Sequence, residues 1–410
     1  MKALEQTDFL TWLLFTVQIV RPGDDEQFQF RAAIASHICH PPSRAGLSAV
    51  LRCATIRSPE RHSTPVRQVS VPDAAPFTNK GSHEMRKLLF LAVALGLLPG
   101  SGWCQVNPNR PLKVALLLPG PITDGTFNSA ANKGMKAAEQ KFPNIKVTMQ
   151  ENITFAQSEE ALRAYARDGF DVVIGHGFQF AEPAAKLYKE FPKTSFVINT
   201  AKVAGAPNLA SFDNRWGDAG YYAGYIAAIM TKTGTIGHAG GIPVPVIQEF
   251  NEGFERGAKR FNPNVKMLSA YVGSFSDIAK GKEVTLSLIE RGADVVTATG
   301  NESVVGTLEA AKEKKVLMIG TAFDSASFAP DTIVTTALVN FDVNLEMAIS
   351  KILDGTIEPK NYLLGLNENG IGLAGYGKFE SAISPENKAK VQALLADIKA
   401  GKVSDLPAIR

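Results

Sequence analysis

The chain has 410 residues, a formal net charge of +3 and 45% hydrophobic residues, so it is long enough for two domains and nearly balanced in charge. With no basic run beyond Lys312, Lys314 and Lys315, nucleic acid is not expected as a partner. Cys39 and Cys53 lie before residue 85 and Cys104 shortly after it, so residues 105–410 have no cysteine for a disulfide and must be held by apolar cores.

Residues 1–84 carry His37, His40, His62 and His83 among scattered Arg and Pro, with no sustained hydrophobic period. His37, Cys39, His40 and Cys53 lack the paired spacing of a structural zinc motif, so no metal is expected. The Leu10–Val20 run is too short to cross a membrane. At Met85 the character changes. Arg86 and Lys87 precede an apolar stretch from Leu88 to Leu98, which ends in a Pro/Gly break before Gly102-Trp103-Cys104, the pattern of a secretory signal peptide over 85–104. That stretch is about half of the roughly 20 residues a spanning helix needs. Signal peptides act at the N-terminus, so translation is expected to begin at Met85, with 1–84 a non-native extension. Small residues at Gly102 and Cys104 favour cleavage before Gln105 and periplasmic release. Acylation of Cys104 is the alternative, and it is disfavoured by the bulky Trp103 directly before it.

From Lys113 the chain alternates strands and helices. Val114 to Leu118 is a short apolar run closed by Pro119 and Gly120, as expected of a parallel strand covered on both faces. Asp124 or Thr126 can cap the next helix, which puts Phe127 and Asn128 at its mouth, beyond the strand's carboxyl end. Strands follow at 145–149, 171–174, 195–199 and 209–212, with helices at 158–168 and 181–190 between them. The second of these strands leads into Gly175-His176-Gly177-Phe178.

The pattern then restarts. An apolar helix at 221–230 precedes strands at 235–239, 265–272, 295–297 and 316–319 and helices at 247–261, 277–290 and 303–314. Gly273-Ser274-Phe275-Ser276-Asp277, Gly300-Asn301 and Asp324 stand at strand ends. A β-branched strand at 333–339 ends in Asn340. A helix at 343–353, a strand at 370–373 and a helix capped by Ser384 complete the chain. This order predicts an α/β protein of two Rossmann-like lobes with parallel sheets and a multi-stranded hinge. The expected division is 105–214 plus 324–356 for the N-terminal lobe and 215–323 plus 357–410 for the C-terminal lobe.

Several marks carry a resemblance: Asp124-Gly125-Thr126-Phe127-Asn128, Gly175-x-Gly177-Phe178, Tyr222-Ala223-Gly224, Gly273-Ser274-Phe275-x-Asp277 with Lys280-Gly281-Lys282, and Ile319-Gly320 followed by Asp324. In this order and spacing, from Lys113 to about Gly377, the chain resembles the basic membrane protein family of ABC-transporter substrate-binding proteins, relatives of purine nucleoside receptors with the type I periplasmic binding fold. The resemblance implies a monomeric extracytoplasmic protein, with no cofactor, that captures a purine nucleoside or base and hands it to a membrane permease. It implies stacking by Phe127 and Phe275, hydrogen bonding by Asn128 and Asp324, and close approach at Gly300. His176, Phe178, Asn301 and Asn340 complete the candidate ligand-binding set. Nucleoside-binding members present a Lys where this chain has Asn340, which keeps a free base or another small polar compound in view as ligand.

Two rival classes lack their signatures. Neither a G-x-S-x-G nor a phosphate-cradling glycine loop supports an enzyme acting on nucleosides, and the His-x-x-His of His37 and His40 falls in the 1–84 extension. A repressor of the same two-lobed fold would carry a helix-turn-helix where this chain has an export signal. Export is directly testable: a chain starting at Met85 is expected to leave the cytoplasm and be trimmed to begin near Gln105, as read by N-terminal sequencing. Native protein beginning at Met1 would overturn this, and fatty-acid labelling abolished by Cys104→Ser would establish the acylated form instead.

Overall fold

The computed structural model describes residues 110–409, Thr126 excepted. The expectations for the 1–84 extension, the 85–104 signal segment and Cys104 lie outside the described residues. The first lobe contains β1 (Leu112–Leu117), α1 (Phe127–Lys141), β2 (Ile145–Gln150), α2 (Ser158–Arg167), β3 (Val172–His176), α3 (Ala181–Leu187), β4 (Ser195–Asn199) and β5 (Leu209–Asn214). The second contains α4 (Trp216–Met230), β6 (Thr235–Gly240), α5 (Pro245–Phe261), β7 (Lys266–Tyr271), α6 (Ile278–Glu290), β8 (Val295–Thr299), α7 (Ser303–Lys314), β9 (Leu317–Ala322) and β10 (Ile333–Val339). The tail supplies α8 (Phe341–Leu353), β11 (Asn361–Leu364), β12 (Ile371–Leu373) and α9 (Pro385–Lys399).

The sheets are topological copies. In space the first runs β2-β1-β3-β4-β5-β11 and the second β7-β6-β8-β9-β10-β12. All the pairings are parallel except that of β12 with β10. Each is a doubly wound sheet whose strand order reverses between its first and third strands, which is where such sheets open a crevice. The apolar strand runs arise because helices cover both faces. In the first sheet Val114, Leu116, Ile174 and Val197 pack against Met135, Leu345 and Ile349, while Leu117, Val173, Phe196 and Ile198 pack against Leu162 and Leu187 on the other side.

The division of the tail differs from the one the sequence suggests. Strand β10, expected in the N-terminal lobe with 324–356, pairs with β9 in the second sheet. Strand β11, not recognised in the sequence and inside the range assigned to the C-terminal lobe, extends the first sheet beside β5. Only α8 returns as expected, lying against α1, β4 and β5. The reason is physical: a buried β-branched run suits either sheet, and four residues at a sheet edge carry too little pattern to show their partner.

The chain therefore crosses between lobes three times, after β5, after β10 and after β11. The crossings are tied together. The Gly370 carbonyl accepts from the Asn340 backbone N–H at 2.8 Å and from Asn214 Nδ2 at 2.6 Å, and the Arg215 N–H donates to Leu364 O at 3.0 Å.

In the second lobe α4 and α5 touch backbone to backbone. A Cβ on Gly224 would overlap the Phe254 carbonyl, and one on Gly257 would overlap the Tyr221 carbonyl. Gly257→Ala gains about 1 kcal/mol of helix propensity but has to push the helices apart, at a cost of about 1–3 kcal/mol or more for a tightly packed contact. Net destabilisation is expected, read as a lowered midpoint in urea unfolding with ordinary helix content. An unchanged or raised midpoint would show that the helices do not pack this closely.

Candidate functional site

A cleft of about 490 Å³ lies where the carboxyl ends of the two sheets meet. Its walls follow the topology. From the first lobe come Pro119 and Gly120 after β1, Asn152 and Phe155 after β2, Phe178 and Gln179 after β3, and Thr200 after β4. From the second come Ile242 after β6, Phe275 after β7, Gly300, Asn301 and Glu302 after β8, and Ala322 at the end of β9. This volume and the mixture of rings with a few polar groups suit a small organic ligand.

Phe127 is held from behind. Asp124 caps α1, accepting from the Asn128 N–H at 2.8 Å and the Ser129 N–H at 2.9 Å, which fixes the first turn and the ring it carries. One face of the Phe127 ring stacks on His176, with centroids 3.8 Å apart and planes 22° from parallel, and Phe341 meets both rings edge-on. Phe178 and Phe275 approach each other across the cleft edge to face at 6.1 Å, and Phe155 stands 5.2 Å beyond Phe178. Rings from both lobes thus border one space.

The structure places the candidate residues in two groups. Phe127, Phe178, Phe275, Gly300 and Asn301 line the cleft, whereas Asn128, His176, Asp324 and Asn340 do not. Asn128 is fully buried behind Gly120, with Nδ2 donating to Asp124 at 2.8 Å. His176 is also fully buried, and both ring nitrogens are engaged by protein. Nε2 lies 3.1 Å from the Phe127 carbonyl, which can only accept, so Nε2 carries the proton and Nδ1 accepts from Asn199 Nδ2 at 3.1 Å. Burial pushes the imidazole pKa down to about 3, so the ring stays neutral. Its role in the structure is to position Phe127. Asp324 is exposed and accepts from the Ala326 N–H at 3.1 Å, while Asn340 donates through Nδ2 to the Asn369 carbonyl at the hinge.

Trp216, the first residue of α4, stands at the crossing between the lobes. It lines the cleft, and Nε1 donates to Asp213 Oδ1 at 3.1 Å. Next to Asp213 a part-buried ion pair joins the lobes: Lys202 Nζ, after β4, lies 2.6 Å from Glu249 on α5 and 3.7 Å from Asp213. Burial raises the Asp213 pKa to about 6 against the opposing pull of Lys202. Sequence reading passes over Phe155, Gln179 and Glu302 because no local period or motif distinguishes a cleft-facing loop residue from a solvated one. The signal available was their place three to five residues beyond a strand end. Among the described residues, no helix is long and apolar enough to cross a membrane and no group of His, Cys, Asp and Glu is placed to hold a metal ion.

Comparison with known proteins agrees with this architecture. Basic membrane protein A1 of Borrelia garinii subsp. bavariensis is 28% identical over 323 residues, covering 77% of this chain and 94% of its own. A purine-binding protein of Brucella abortus is 25% identical over 318 residues, covering 77% of this chain and 88% of its own. An ABC transporter system solute-binding protein from Aeropyrum pernix K1 superposes with a TM-score of 0.66 at 24% identity, over 72% of this chain and 93% of that one, a likeness of fold. Residues 112–404 match the family described as Bmp, ABC transporter substrate-binding protein PnrA-like, and the chain belongs to that family of two-lobed substrate-binding proteins.

Proposed function

We propose that the protein is the extracytoplasmic binding component of an ABC importer, capturing a purine nucleoside or nucleobase between its lobes and delivering it to a membrane permease. The observation that carries this reading is the set of aromatic rings from both lobes around one cleft: Phe127 and Phe178 from the first, Phe275 from the second. A flat heteroaromatic ring is the ligand shape that such walls hold best, since stacking on an aromatic side chain contributes about 1–3 kcal/mol per base. The purine-binding relative from Brucella abortus supports the same class. The two lobes and their triple crossing suit closure around a bound ligand. The signal sequence read at 85–104 supports export to the periplasm, where a permease partner would meet the loaded protein.

Titration calorimetry with adenine, guanine, hypoxanthine and their nucleosides tests the reading. The parent is expected to bind at least one of them at micromolar concentration or below. Phe275→Ala, at a half-buried loop ring, should weaken binding about five- to 150-fold with little change in thermal midpoint. Phe127 also packs on His176, so Phe127→Ala should lose both affinity and some stability, while Phe127→Leu keeps more of the packing and isolates the loss of stacking. Parent protein that binds no purine, or variants that bind as tightly as the parent, would overturn the proposal.

A further inference from the structure

We propose that Glu302 selects the ligand: resting on the purine reading, its carboxylate accepts two adjacent N–H donors from the edge of the stacked ring, so that a guanine-type edge is favoured over an adenine-type edge. Glu302 is the one charged side chain among the described residues lining the cleft, and no Lys, Arg or His stands there with it. It is half-buried, and no described residue forms an ion pair with it. Loss of solvent raises its pKa, its own backbone N–H opposes the rise, and the nearby Asp124 charge adds to it. A carboxylate kept from water without a cation is relieved by a ligand that brings hydrogen-bond donors.

The loop geometry aims the group. The Phe275 carbonyl accepts from the backbone N–H of Asn301 at 3.1 Å and of Ser303 at 3.0 Å, bracketing Glu302 and locking its loop to the loop that carries the Phe275 ring. The side chain does not cap α7, and it extends across the cleft until Oε1 lies 3.2 Å from where a Cβ on Gly120 would stand. Stacking ring and carboxylate are therefore held in one unit, with the carboxylate reaching the opposite lobe. A base lying on Phe275 presents its edge to an acceptor.

Edge chemistry then decides between purines. Guanine offers an amide N1–H beside an amino group, two donors that match the two carboxylate oxygens. Adenine offers its amino group beside the N1 lone pair, which faces a carboxylate unfavourably. A phosphorylated nucleotide meets negative charge and no compensating cation. Replacing the carboxylate by an amide changes this code, because an amide presents one donor and one acceptor, the pattern that pairs with adenine.

The test is calorimetric titration of the parent, Glu302→Gln and Glu302→Asp with guanine, adenine, guanosine, adenosine and GMP. Thermal melting of each variant checks folding. The parent should prefer guanine to adenine and guanosine to GMP. Glu302→Gln should lower guanine affinity about ten- to 100-fold while adenine affinity holds or rises, so that the preference inverts. Glu302→Asp, which keeps the charge, should retain the guanine preference at reduced affinity. If the parent binds purines but the guanine-to-adenine ratio is the same in Glu302→Gln, the Glu302 assignment fails and the purine reading stands. If the parent binds no purine, both fall.

Discussion

A chain of buried amides and one imidazole runs from the cleft wall to the hinge, and the arrangement of the cleft depends on it. The Phe127 carbonyl accepts from His176, His176 accepts from Asn199, and Asn199 Oδ1 accepts from Asn344 Nδ2 at 2.8 Å. Asn344 also exchanges hydrogen bonds with Asn214, which donates onward to the Gly370 carbonyl. Every side chain in it is fully buried. A buried polar group left without a partner costs about 1–3 kcal/mol, so each link holds its neighbours to one rotamer and one direction of donation. Both ends are carbonyls that can only accept, so donation runs outward from the Asn344–Asn214 pair, through Asn199 and His176 to Phe127 on one side and directly to Gly370 on the other. Its members come from β3, β4, β5 and α8, three neighbouring strands and the helix that lies on them. Phe127 is thereby referenced to the same backbone, at Gly370, where two interlobe crossings meet.

Two of the contacts between the lobes differ in character. Phe178 and Phe275 meet as rings, a contact that tolerates sliding. Lys202 and Glu249 form a part-buried ion pair that tolerates little. Attraction inside such a pair is offset by the desolvation of both ions, so its net contribution to stability is small. Separating the partners is another matter, since each charge then needs water. The ion pair therefore does more to fix how the lobes face each other in this structure than to raise the stability of the fold.

Much of the architecture is legible in the residues. Val114 to Leu118, Val172 to Ile174 and Ser195 to Asn199 read as strands because helices cover both faces of each sheet, and that constraint writes apolar runs into the chain. The position of the cleft follows from the same pattern, since both sheets point their carboxyl ends at it, and Phe127, Phe178, Phe275, Gly300 and Asn301 stand where strand ends predict. Partnership is what the residues do not display. Strand β10 could join either sheet, and β11 is four residues at an edge. His176 sits at a strand end like a ligand donor, yet Asn199, 23 residues on, takes the nitrogen that a ligand would need. Asp324 has the right spacing but turns to cap its own loop.

If the ligand is a purine, as proposed, the two lobes divide the work of recognition along a physical line. Stacking platforms accept any flat ring, because every base has a π-face, and the one backed by His176 and the buried amides is set rigidly in the first lobe. Groups able to tell one ring edge from another, Asn301 and Glu302, stand on a second-lobe loop fastened by two backbone hydrogen bonds to the Phe275 carbonyl. Binding to the first lobe alone would be permissive. On the proposed reading, selectivity would arise when the second lobe closes and its polar groups reach the edge, where a mismatched donor or acceptor is left unpaired in a confined site. Under the proposed reading, a ligand of the wrong edge would stack but leave the Glu302 carboxylate unmatched, so discrimination would be exerted when the second lobe closes.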